Sequence, residues 1–554
     1  MEKIWLKSYP PQVPSEIDPD AYQSLIEIFK ESCHKHASRP AFYNMGVTLT
    51  YKELEEKAND FAAYLQQELK LKKGDRFAIM LPNVLQYPIA LFGALSIGLV
   101  VVNVNPLYTA EELAFQLDNS GATTILVLEN FAHTVEKARI KTPNIKNIII
   151  TKIGDLFPFA KSFIINFVLK YIYKQIPAWS IPHTIHFKKA LELGKKLQVN
   201  PVPITNSDIA FLQYTGGTTG ISKGAILTHR NLIANIQQAD AWFGSLITEG
   251  KDIIITALPM YHIFSLTANC LFFSKIGGLN VLITNPRDIK SMIKDLKKFK
   301  FTVITGVNTL FNALLKNSAF PEVDFSALRL TLGGGMSVQK VVAEKWQNVT
   351  RCHILEAYGL TETSPCVTIN PTTITTYNGT IGLPVSSTEI SLFDEEGNEV
   401  GLNTPGEIAV RGPQVMRGYW QNEAETKRVF HDDWLLTGDI AEINAQGFVR
   451  LLERKKDMIL VSGFNVYPNE IEDVLMKVPG IREVAVVGVP NENSGETVKA
   501  FIVKDDPQLT EASILQYARQ YLTPYKVPKQ IEFRDELPKT NVGKILRRAL
   551  RDKK

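Results

Sequence analysis

The chain has 554 residues, of which 45% are hydrophobic and 21% are charged. This is the composition of an ordinary globular protein and excludes a disordered, collagenous or low-complexity chain. The 61 Lys and Arg residues nearly balance the 57 Asp and Glu residues, which leaves a formal net charge of +4. Nucleic-acid-binding proteins usually carry a concentrated basic surplus, so we expect no nucleic-acid partner.

Cysteine usage and the first residues both favour a cytoplasmic protein. The four cysteines have no CxxC spacing, so neither a disulfide framework nor a zinc site is indicated. Residues 1–16 lack the apolar core of a secretory signal. Peripheral attachment to the inner face of the cell membrane is left open.

Short apolar runs alternate with helical patterns through the first four hundred residues. The runs lie at residues 77–81, 100–104, 124–128, 147–151, 253–257, 279–284, 301–305 and 328–332. Strands that alternate with helices are typical of parallel sheets covered by helices. Because the pattern recurs on both sides of residue 200, we predict two α/β sheet layers.

Two longer apolar stretches could be membrane-spanning helices, so we compare their length and charge with those of such a helix. Residues 89–102 are shorter than the roughly 20 residues that a spanning helix needs, and we predict a buried helix that leads into a strand. Residues 157–179 are interrupted by Lys161, Lys170 and Lys174, which would be costly at the centre of a bilayer. For them we predict an amphipathic, packed surface helix, with contact to a membrane surface as the less favoured alternative.

The pattern of the chain changes near residue 379 and again near residue 453. Gly and Pro become dense after residue 379, and short alternating segments indicate a small β-barrel-like region. After residue 453, Pro468 opens a helical pattern, two strand patterns follow, and Thr510 caps another helix. We predict an α/β fold: a large N-terminal domain (residues 1–455) with two sheet layers and the β-rich region, then a small α+β C-terminal domain (residues 456–554).

A loop rich in Gly and Thr follows the apolar run at residues 209–214. Residues 214–224 have the sequence YTGGTTGISKG. Glycines let successive backbone N–H groups turn inward to form an anion-binding nest. Threonine hydroxyls and Lys223 add hydrogen-bond donors and positive charge. The loop therefore predicts a polyphosphate site.

Other motifs compete for this loop. A Walker loop needs GxxxxGK[ST], and no glycine of this loop has a second glycine in the required place. Residues 220–224 formally match the GxSxG nucleophile elbow of esterases, with Ser222 as the nucleophile. That motif requires a strand directly before it and a helix directly after it, whereas residues 225–228 have an extended pattern. The esterase and a flexible loop without a ligand stay open as alternatives.

Four further motifs follow along the chain: YGLTETSP at 358–365, DWLLTGD at 433–439, ERKKDMILVSG at 453–463 and LPKTNVGKILRR at 537–548. Each is weak alone, but their order, together with the 214–224 loop and the glycines at 333–335, is specific. From about residue 22 to residue 551 the chain resembles the adenylate-forming superfamily of acyl-CoA synthetases, adenylation domains and luciferases. Residues 453–474 and 533–548 are most similar to bacterial long-chain fatty-acid–CoA ligases.

The resemblance implies an enzyme that activates a fatty acid with ATP and Mg²⁺ to an acyl-adenylate and pyrophosphate. The acyl group would then pass to coenzyme A, feeding fatty-acid degradation or lipid synthesis. A ligase for medium-chain or aryl acids stays open as an alternative, and so do a homodimer and contact with membrane lipid. The resemblance also implies that the small C-terminal domain is mobile and turns about a hinge at Lys456.

The implied site residues lie in these motifs. The implied ATP contacts are Tyr214, Thr215, Gly216, Gly217, Thr218, Thr219, Gly220, Lys223, Gly334, Gly335, Tyr358, Gly359, Thr361, Asp439 and Arg454. Thr218 and Glu362 are the implied Mg²⁺ contacts, because a hard cation prefers oxygen ligands. Tyr358 would lie against the adenine, and Asp439 and Arg454 would reach the ribose.

The implied catalytic set is Lys544, Glu362, Thr218 and His262. Lys544 would offset the repulsion between a carboxylate and the α-phosphate. His262 would lie near the acyl carboxylate, although a hydrogen-bonded histidine beside an apolar wall is an equal alternative. In a second position of the C-terminal domain, Ser462 and Gly463 would face the pantetheine arm. Residues 544–554 predict an amphipathic surface helix, with attraction to CoA phosphates or anionic lipid as the alternative.

Overall fold

The computed structural model describes residues 2–215, 222–462, 464–491, 494–540 and 543–551. The strands of these residues are β1 (Pro40–Asn44), β2 (Val47–Thr50), β3 (Arg76–Met80), β4 (Val100–Asn103), β5 (Thr124–Leu128), β6 (Asn147–Thr151), β7 (Ile185–His186), β8 (Ile209–Thr215), β9 (Lys223–Thr228), β10 (Ile253–Thr256), β11 (Leu279–Leu282), β12 (Val303–Gly306), β13 (Leu330–Gly333), β14 (Ile354–Gly359), β15 (Cys366–Ile369), β16 (Leu383–Pro384), β17 (Glu389–Phe393), β18 (Gly406–Arg411), β19 (Phe430–His431), β20 (Trp434–Ile443), β21 (Val449–Arg454), β22 (Ile459–Val461), β23 (Phe464–Val466), β24 (Ile481–Asn491), β25 (Gly495–Lys504) and β26 (Gln530–Phe533).

The α-helices of the same residues are α1 (Leu25–Lys35), α2 (Tyr51–Gln67), α3 (Gln86–Ser96), α4 (Ala110–Ser120), α5 (Ala132–Ala138), α6 (Phe159–Phe167), α7 (Phe187–Gly194), α8 (His229–Phe243), α9 (Ile263–Ser265), α10 (Phe272–Lys275), α11 (Ile289–Leu296), α12 (Asn308–Leu315), α13 (Lys340–Thr350), α14 (Glu423–Val429), α15 (Pro468–Leu475), α16 (Glu511–Tyr521) and α17 (Arg548–Arg551).

Two large sheets form the body of the N-terminal domain. One has the strand order β7-β6-β5-β3-β4-β8-β9 and is parallel except for the β8–β9 pair. The other has the order β16-β15-β14-β13-β12-β10-β11-β1-β2 and is parallel from β14 to β1. The predicted two α/β layers are confirmed. The early hairpin β1–β2 joins the later sheet through β11, an arrangement that the run pattern did not reveal.

The main core joins the two sheets. Helix α3 is buried from Gln86 to Leu95 because its sequence is apolar on every side. The same core cluster holds residues of both sheets, among them Phe77, Phe211, Ile254 and Leu282. The predicted passage from a buried helix into a strand is confirmed, since α3 leads into β4. Across the described residues, no helix combines the length and apolar character needed to cross a bilayer.

Two smaller sheets follow. Strands β17, β18, β19, β20 and β21 form an antiparallel sheet, as the β-rich pattern predicts. The C-terminal sheet has the order β23-β22-β25-β24, with β26 parallel to β25, and shares a core cluster with α15 and α16. Pro468 is the first residue of α15 and Thr510 is the N-cap of α16, both as predicted. The boundary at residues 455 and 456 stays a prediction.

The C-terminal domain lies against the end of the nine-stranded sheet. The hydroxyl of Thr309, in α12, donates a hydrogen bond of 3.0 Å to the carbonyl of Gly543. Lys316 follows the same helix, and its Nζ lies 2.7 Å from Oδ2 of Asp505. These contacts bring the segment that carries Lys544 to the ends of β13 and β14.

Candidate active site

A cavity of about 740 Å³ lies where the C-terminal domain meets the N-terminal domain. Its walls come from the ends of β13 and β14, from β20 and β21, and from the C-terminal segment. In open α/β sheets, ligands bind outside the carboxyl ends of the strands, which is where this cavity lies. Six of the implied site residues line it: Gly335, Tyr358, Gly359, Asp439, Arg454 and Lys544.

Tyr358, Asp439 and Arg454 are joined to one another in this cavity. The hydroxyl of Tyr358 donates a hydrogen bond of 2.7 Å to Oδ2 of Asp439. Nε of Arg454 lies 3.4 Å from Oδ1 of the same carboxylate, because the β20–β21 register sets Arg454 opposite Asp439. Burial raises the pKa of Tyr358, and the Asp439 carboxylate raises it further, so the phenol stays a donor at neutral pH.

The backbone approaches itself closely at the glycines of this wall. A Cβ atom on Gly359 would lie 1.9 Å from the carbonyl oxygen of Pro365, so no other residue fits there. Gly335 has φ of +76°, a conformation that glycine adopts without strain. Both positions therefore present backbone rather than side chain to the cavity.

Lys544 extends from the C-terminal segment into the cavity. Its backbone is fixed by Thr540, whose hydroxyl accepts a hydrogen bond of 3.0 Å from the Lys544 N–H. Burial and, next, the charge of Arg454 lower the pKa of Lys544 to about 7. An anionic ligand in the cavity would reverse this shift, because a nearby negative charge favours the ammonium form.

His262 lies immediately before α9. Its Nδ1 accepts a hydrogen bond of 3.4 Å from the N–H of Phe264. Burial lowers the pKa of His262 to about 4, and the charge of Lys544 contributes next, so the imidazole is neutral at physiological pH. His262 is not part of the cavity wall, but it is electrostatically coupled to Lys544.

The predicted phosphate loop connects β8 to β9. These strands pair antiparallel, with Thr215 opposite Lys223 at the base of the loop. The hydroxyl of Tyr214 donates a hydrogen bond of 2.6 Å to Oδ1 of Asn119, which anchors the hairpin to α4. The remaining implied contacts of the loop lie outside the described residues: Gly216, Gly217, Thr218, Thr219 and Gly220.

The esterase interpretation of Ser222 is wrong. Strand β9 begins at Lys223, so a strand rather than a helix follows the serine. Oγ of Ser222 donates its hydrogen bond, 2.7 Å long, to the carbonyl of Thr215. The serine therefore closes the hairpin and does not stand on a strand-to-helix turn.

A chain of contacts joins the phosphate loop to Glu362. Nζ of Lys223 donates a hydrogen bond to the Glu425 carboxylate and lies 5.3 Å from the ring centroid of Tyr419. The hydroxyl of Tyr419 donates in turn to Oε1 of Glu362 at 2.7 Å. Glu362 belongs to the short helical turn Thr361–Thr363, which lies against β8 and β9. The sequence analysis does not identify Tyr419 or Glu425; their signal is the segment MRGYWQNEAE, of which only MRGYW belongs to the predicted β-rich pattern.

Glu356 is a second residue that sequence reasoning missed. It is buried in β14, lines the cavity, and accepts a hydrogen bond of 3.1 Å at Oε2 from the N–H of Val338. Burial raises the pKa of Glu356 to about 8, and the Asp473 carboxylate across the domain interface acts in the same direction. Its signal was a carboxylate in the otherwise apolar run that leads into YGLTE.

The residues implied for the second step lie elsewhere. Lys456 is in an exposed turn, and its carbonyl accepts a hydrogen bond of 3.1 Å from Nη1 of Arg551. Ser462 is exposed and has φ of +50°, and its N–H donates to the Ser494 carbonyl at 2.8 Å. Ser462 does not line the cavity that contains Lys544. Gly463 lies outside the described residues.

The prediction of a surface helix over residues 544–554 is wrong. In the described part of this segment the helix spans only Arg548–Arg551. Arg547 is not a surface residue: it forms ion pairs of 2.8 Å with Glu453 of β21 and with Glu472 of α15. Its charge is therefore committed to holding the two domains in this arrangement.

Comparisons with known proteins show the family and the fold of the chain. The model of the family described as AMP-binding enzyme matches residues 29–420, and that of the AMP-binding enzyme C-terminal domain matches residues 470–544. Long-chain-fatty-acid--CoA ligase of Yersinia pestis is 58% identical over 552 residues, and that of Escherichia coli O157:H7 is 57% identical; each alignment covers 100% of this chain and 98% of the relative. The crystal structure of the anthranilate CoA ligase AuaEII in complex with anthranoyl-AMP has a TM-score of 0.84 at 24% identity over 96% of each chain, which shows the shared fold.

Proposed function

The chain belongs to the AMP-binding enzyme family, and from this premise we propose that it is an AMP-forming long-chain fatty-acid–CoA ligase. The observation that carries the chemistry is the meeting of Lys544, from the C-terminal domain, with Tyr358, Asp439 and Arg454 in one cavity. The full-length identity to relatives named long-chain-fatty-acid--CoA ligase supports the acid and thiol substrates.

In the first step the fatty-acid carboxylate attacks the α-phosphorus of ATP and pyrophosphate leaves. Tyr358 lies against the adenine, and Asp439 accepts hydrogen bonds from the ribose hydroxyls beside Arg454. The polyphosphate extends toward the 214–224 loop and Lys223. Lys544 lies between two anions that would otherwise repel each other, and its ammonium stabilises the charge that develops on the phosphate. His262, which is neutral, adds no charge near the acyl carboxylate.

Glu362 fits a contact to Mg²⁺. One of its carboxylate oxygens is held by Tyr419, and the other accepts no hydrogen bond from the described residues. The described residues hold no group of three or more His, Cys, Asp or Glu side chains able to bind a metal by themselves. A site with a single free carboxylate oxygen, that of Glu362, suits Mg²⁺, which usually takes one or two protein oxygens together with substrate phosphates. Held by Glu362 and Thr218, the ion would neutralise phosphate charge.

In the second step the thiol of coenzyme A attacks the acyl-adenylate carbonyl and AMP leaves. A free thiol has a pKa near ~8.5, so some thiolate forms without a strong dedicated base. We place the hinge at Lys456, so that the C-terminal domain, residues 456–554, turns as a unit and brings Ser462 and Gly463 to the pantetheine arm. Domain closure of this kind assembles alternative catalytic sites around one substrate.

We also propose that the enzyme works in the cytoplasm. A homodimer stays a prediction. Membrane lipid is the remaining proposed partner, and an apolar surface of the N-terminal domain supports such a contact.

A coupled assay tests the proposed function. Purified protein would be given ATP, Mg²⁺, coenzyme A and one of hexanoate, decanoate, palmitate, oleate or benzoate. We expect equal amounts of AMP, pyrophosphate and acyl-CoA, with the highest kcat/KM for the long chains. A preference for decanoate or benzoate would replace the long-chain proposal with the medium-chain or aryl alternative. Thioester formation without any consumption of ATP would refute the adenylate chemistry.

A further inference from the structure

Helix α6 presents an apolar stripe to solvent. The helix continues through a π-helical turn, Val168–Ile172, so four aromatic side chains follow one another at intervals of four residues: Phe159, Phe163, Phe167 and Tyr171. Side chains at this spacing lie on one face of a helix. Phe159 is 87% exposed, Phe163 is 65% exposed and Tyr171 is 60% exposed. The predicted amphipathic helix therefore packs against the protein on one side only, and its other side is exposed.

The helix is held in place without this stripe. On its inner side, Ile165 and Leu169 pack against the main core. Asn166 accepts a hydrogen bond of 3.1 Å at Oδ1 from the N–H of Gly154. Ile164, Ile172 and Tyr173 are also exposed, which widens the apolar surface. Soluble monomers rarely expose a contiguous apolar patch of this kind unless it binds something.

The charged Lys, Asp and Glu positions in the segment that carries the stripe are all lysines. Residues 156–191 contain no Asp or Glu, and they contain five lysines: Lys161, Lys170, Lys174, Lys188 and Lys189. Lys170 and Lys174 are exposed and form no ion pair within the described residues. Aromatic side chains beside unpaired lysines form the type of surface that binds the interface of an anionic bilayer.

The neighbouring helix α7 extends the basic rim. Lys188 and Lys189, at its start, line a shallow cavity together with Asn166 of α6. Two carboxylates, Asp155 and Glu192, border the same cavity. Lys152 also lines this cavity, so three lysines face two carboxylates and the rim keeps a small basic surplus.

We propose that the outer face of α6 and its π-helical turn is the surface by which the protein docks on an anionic membrane. The aromatic stripe enters the boundary between headgroups and acyl chains, while Lys170 and Lys174 contact lipid phosphates. A second copy of the chain fits less well, because pairing two such faces would bring like charges together. This inference rests on the membrane contact proposed above, to which it assigns a surface, and it does not depend on catalysis.

Sedimentation with vesicles tests the surface in the full-length protein. Vesicles of phosphatidylcholine would be compared with vesicles that contain phosphatidylglycerol, at low and high salt. We expect Phe159→Ser/Phe163→Ser to weaken binding to the anionic vesicles by at least about tenfold, since two interfacial aromatic side chains are lost. Lys170→Glu/Lys174→Glu should reduce binding to the level seen with phosphatidylcholine and remove its salt dependence. The matched control, Leu107→Ser/Ile140→Ser, changes two other exposed apolar residues and should bind like the wild type.

Three results would overturn the proposal. The first is a wild-type protein that sediments equally with both kinds of vesicle or with neither. The second is unchanged binding by Phe159→Ser/Phe163→Ser. The third is a wild-type dimer in analytical ultracentrifugation that this variant converts to monomer, which would assign the face to a second copy of the chain. Ligase activity on oleate is measured in parallel without vesicles, so a failed proposal of ligase function is distinguished from a failed docking surface.

Discussion

The Tyr358 hydroxyl donates a 2.7 Å hydrogen bond to the Asp439 carboxylate, although the two residues are 81 positions apart in the chain. Tyr358 is the penultimate residue of β14 in the nine-stranded sheet, and Asp439 lies in β20 of the antiparallel sheet. The bond therefore joins Tyr358, which we propose lies against the adenine, to Asp439, which we propose binds the ribose. Both groups are buried and are already oriented before a nucleotide arrives.

Tyr358→Phe should weaken ATP binding. A hydrogen bond to a charged group contributes about 1.5–3 kcal/mol, so we expect the Kd for ATP to rise by at least about tenfold. Isothermal titration with ATP measures this directly. Tyr377→Phe, which removes another hydroxyl from the same cavity, serves as the control and should bind ATP normally. An unchanged Kd in Tyr358→Phe would show that Asp439 needs no such positioning.

Lys544→Ala should separate the two half-reactions. Without the ammonium, pyrophosphate release should fall by at least about a hundredfold, whereas conversion of supplied oleoyl-AMP to oleoyl-CoA should continue. Lys529→Ala removes an exposed lysine of the same domain and should leave both rates intact. Equal loss of both half-reactions in Lys544→Ala would contradict a model in which two domain positions serve two steps.

Tyr419→Phe should raise the requirement for Mg²⁺. The variant loses the 2.7 Å hydrogen bond that orients Glu362, and loss of such a supporting partner typically lowers metal affinity by about tenfold or more. The measurement is the Mg²⁺ concentration for half-maximal pyrophosphate release. Tyr521→Phe, at an exposed site of the C-terminal domain, controls for the loss of a phenol. If Mg²⁺ dependence does not change, Tyr419 does not position a metal contact.

Locking the domains together should block only the second step. The Lys316–Asp505 ion pair crosses the domain interface and is exposed, so replacing it costs little stability. Lys316→Cys/Asp505→Cys would be joined with a short bismaleimide. We expect the cross-linked enzyme to form oleoyl-AMP and to lose thioester formation, while the uncross-linked variant does both.

Wild type treated with the same reagent controls for its native cysteines, three of which are buried. Thioester formation at an undiminished rate in the cross-linked enzyme would exclude rotation about Lys456 as a required step.

Glu356→Gln should stabilise the protein at alkaline pH. The pKa of Glu356 rises from 4.5 to about 8 in the folded state, so the folded chain binds this proton more tightly than the unfolded chain. Stability must then fall as pH rises from 4.5 to about 8 and stay reduced above that range. Glutamine cannot ionise, and its amide oxygen can still accept from Val338.

We expect Glu356→Gln to raise the Tm by about 2–6 °C near pH 8.5 and by much less near pH 5. Differential scanning fluorimetry across this range is the measurement, with the exposed Glu395→Gln as the control. A Tm difference that is constant with pH would show that ionisation of Glu356 is not its cause.

Much of the fold and of the cavity could be predicted from the sequence because the relevant signals are local. The apolar runs that became β3, β5 and β6 are continuous in the chain, and Pro468 and Thr510 mark helix starts through their own chemistry. The motifs around Tyr358, Asp439 and Lys544 carried the family resemblance, and the family assignment is confirmed by matches to both of its domain models.

The sequence by itself determined the local elements, the family and the motifs whose residues line the cavity. Only the tertiary structure decided which distant side chains meet: Tyr419 with Glu362, Arg547 with Glu453, and Glu356 with the field of Asp473. It also decided that Ser222 closes a hairpin and that the aromatic stripe of α6 faces outward. The physical reason is that hydrophobic periodicity reports whether a face is apolar, whereas its partner depends on the path of the whole chain.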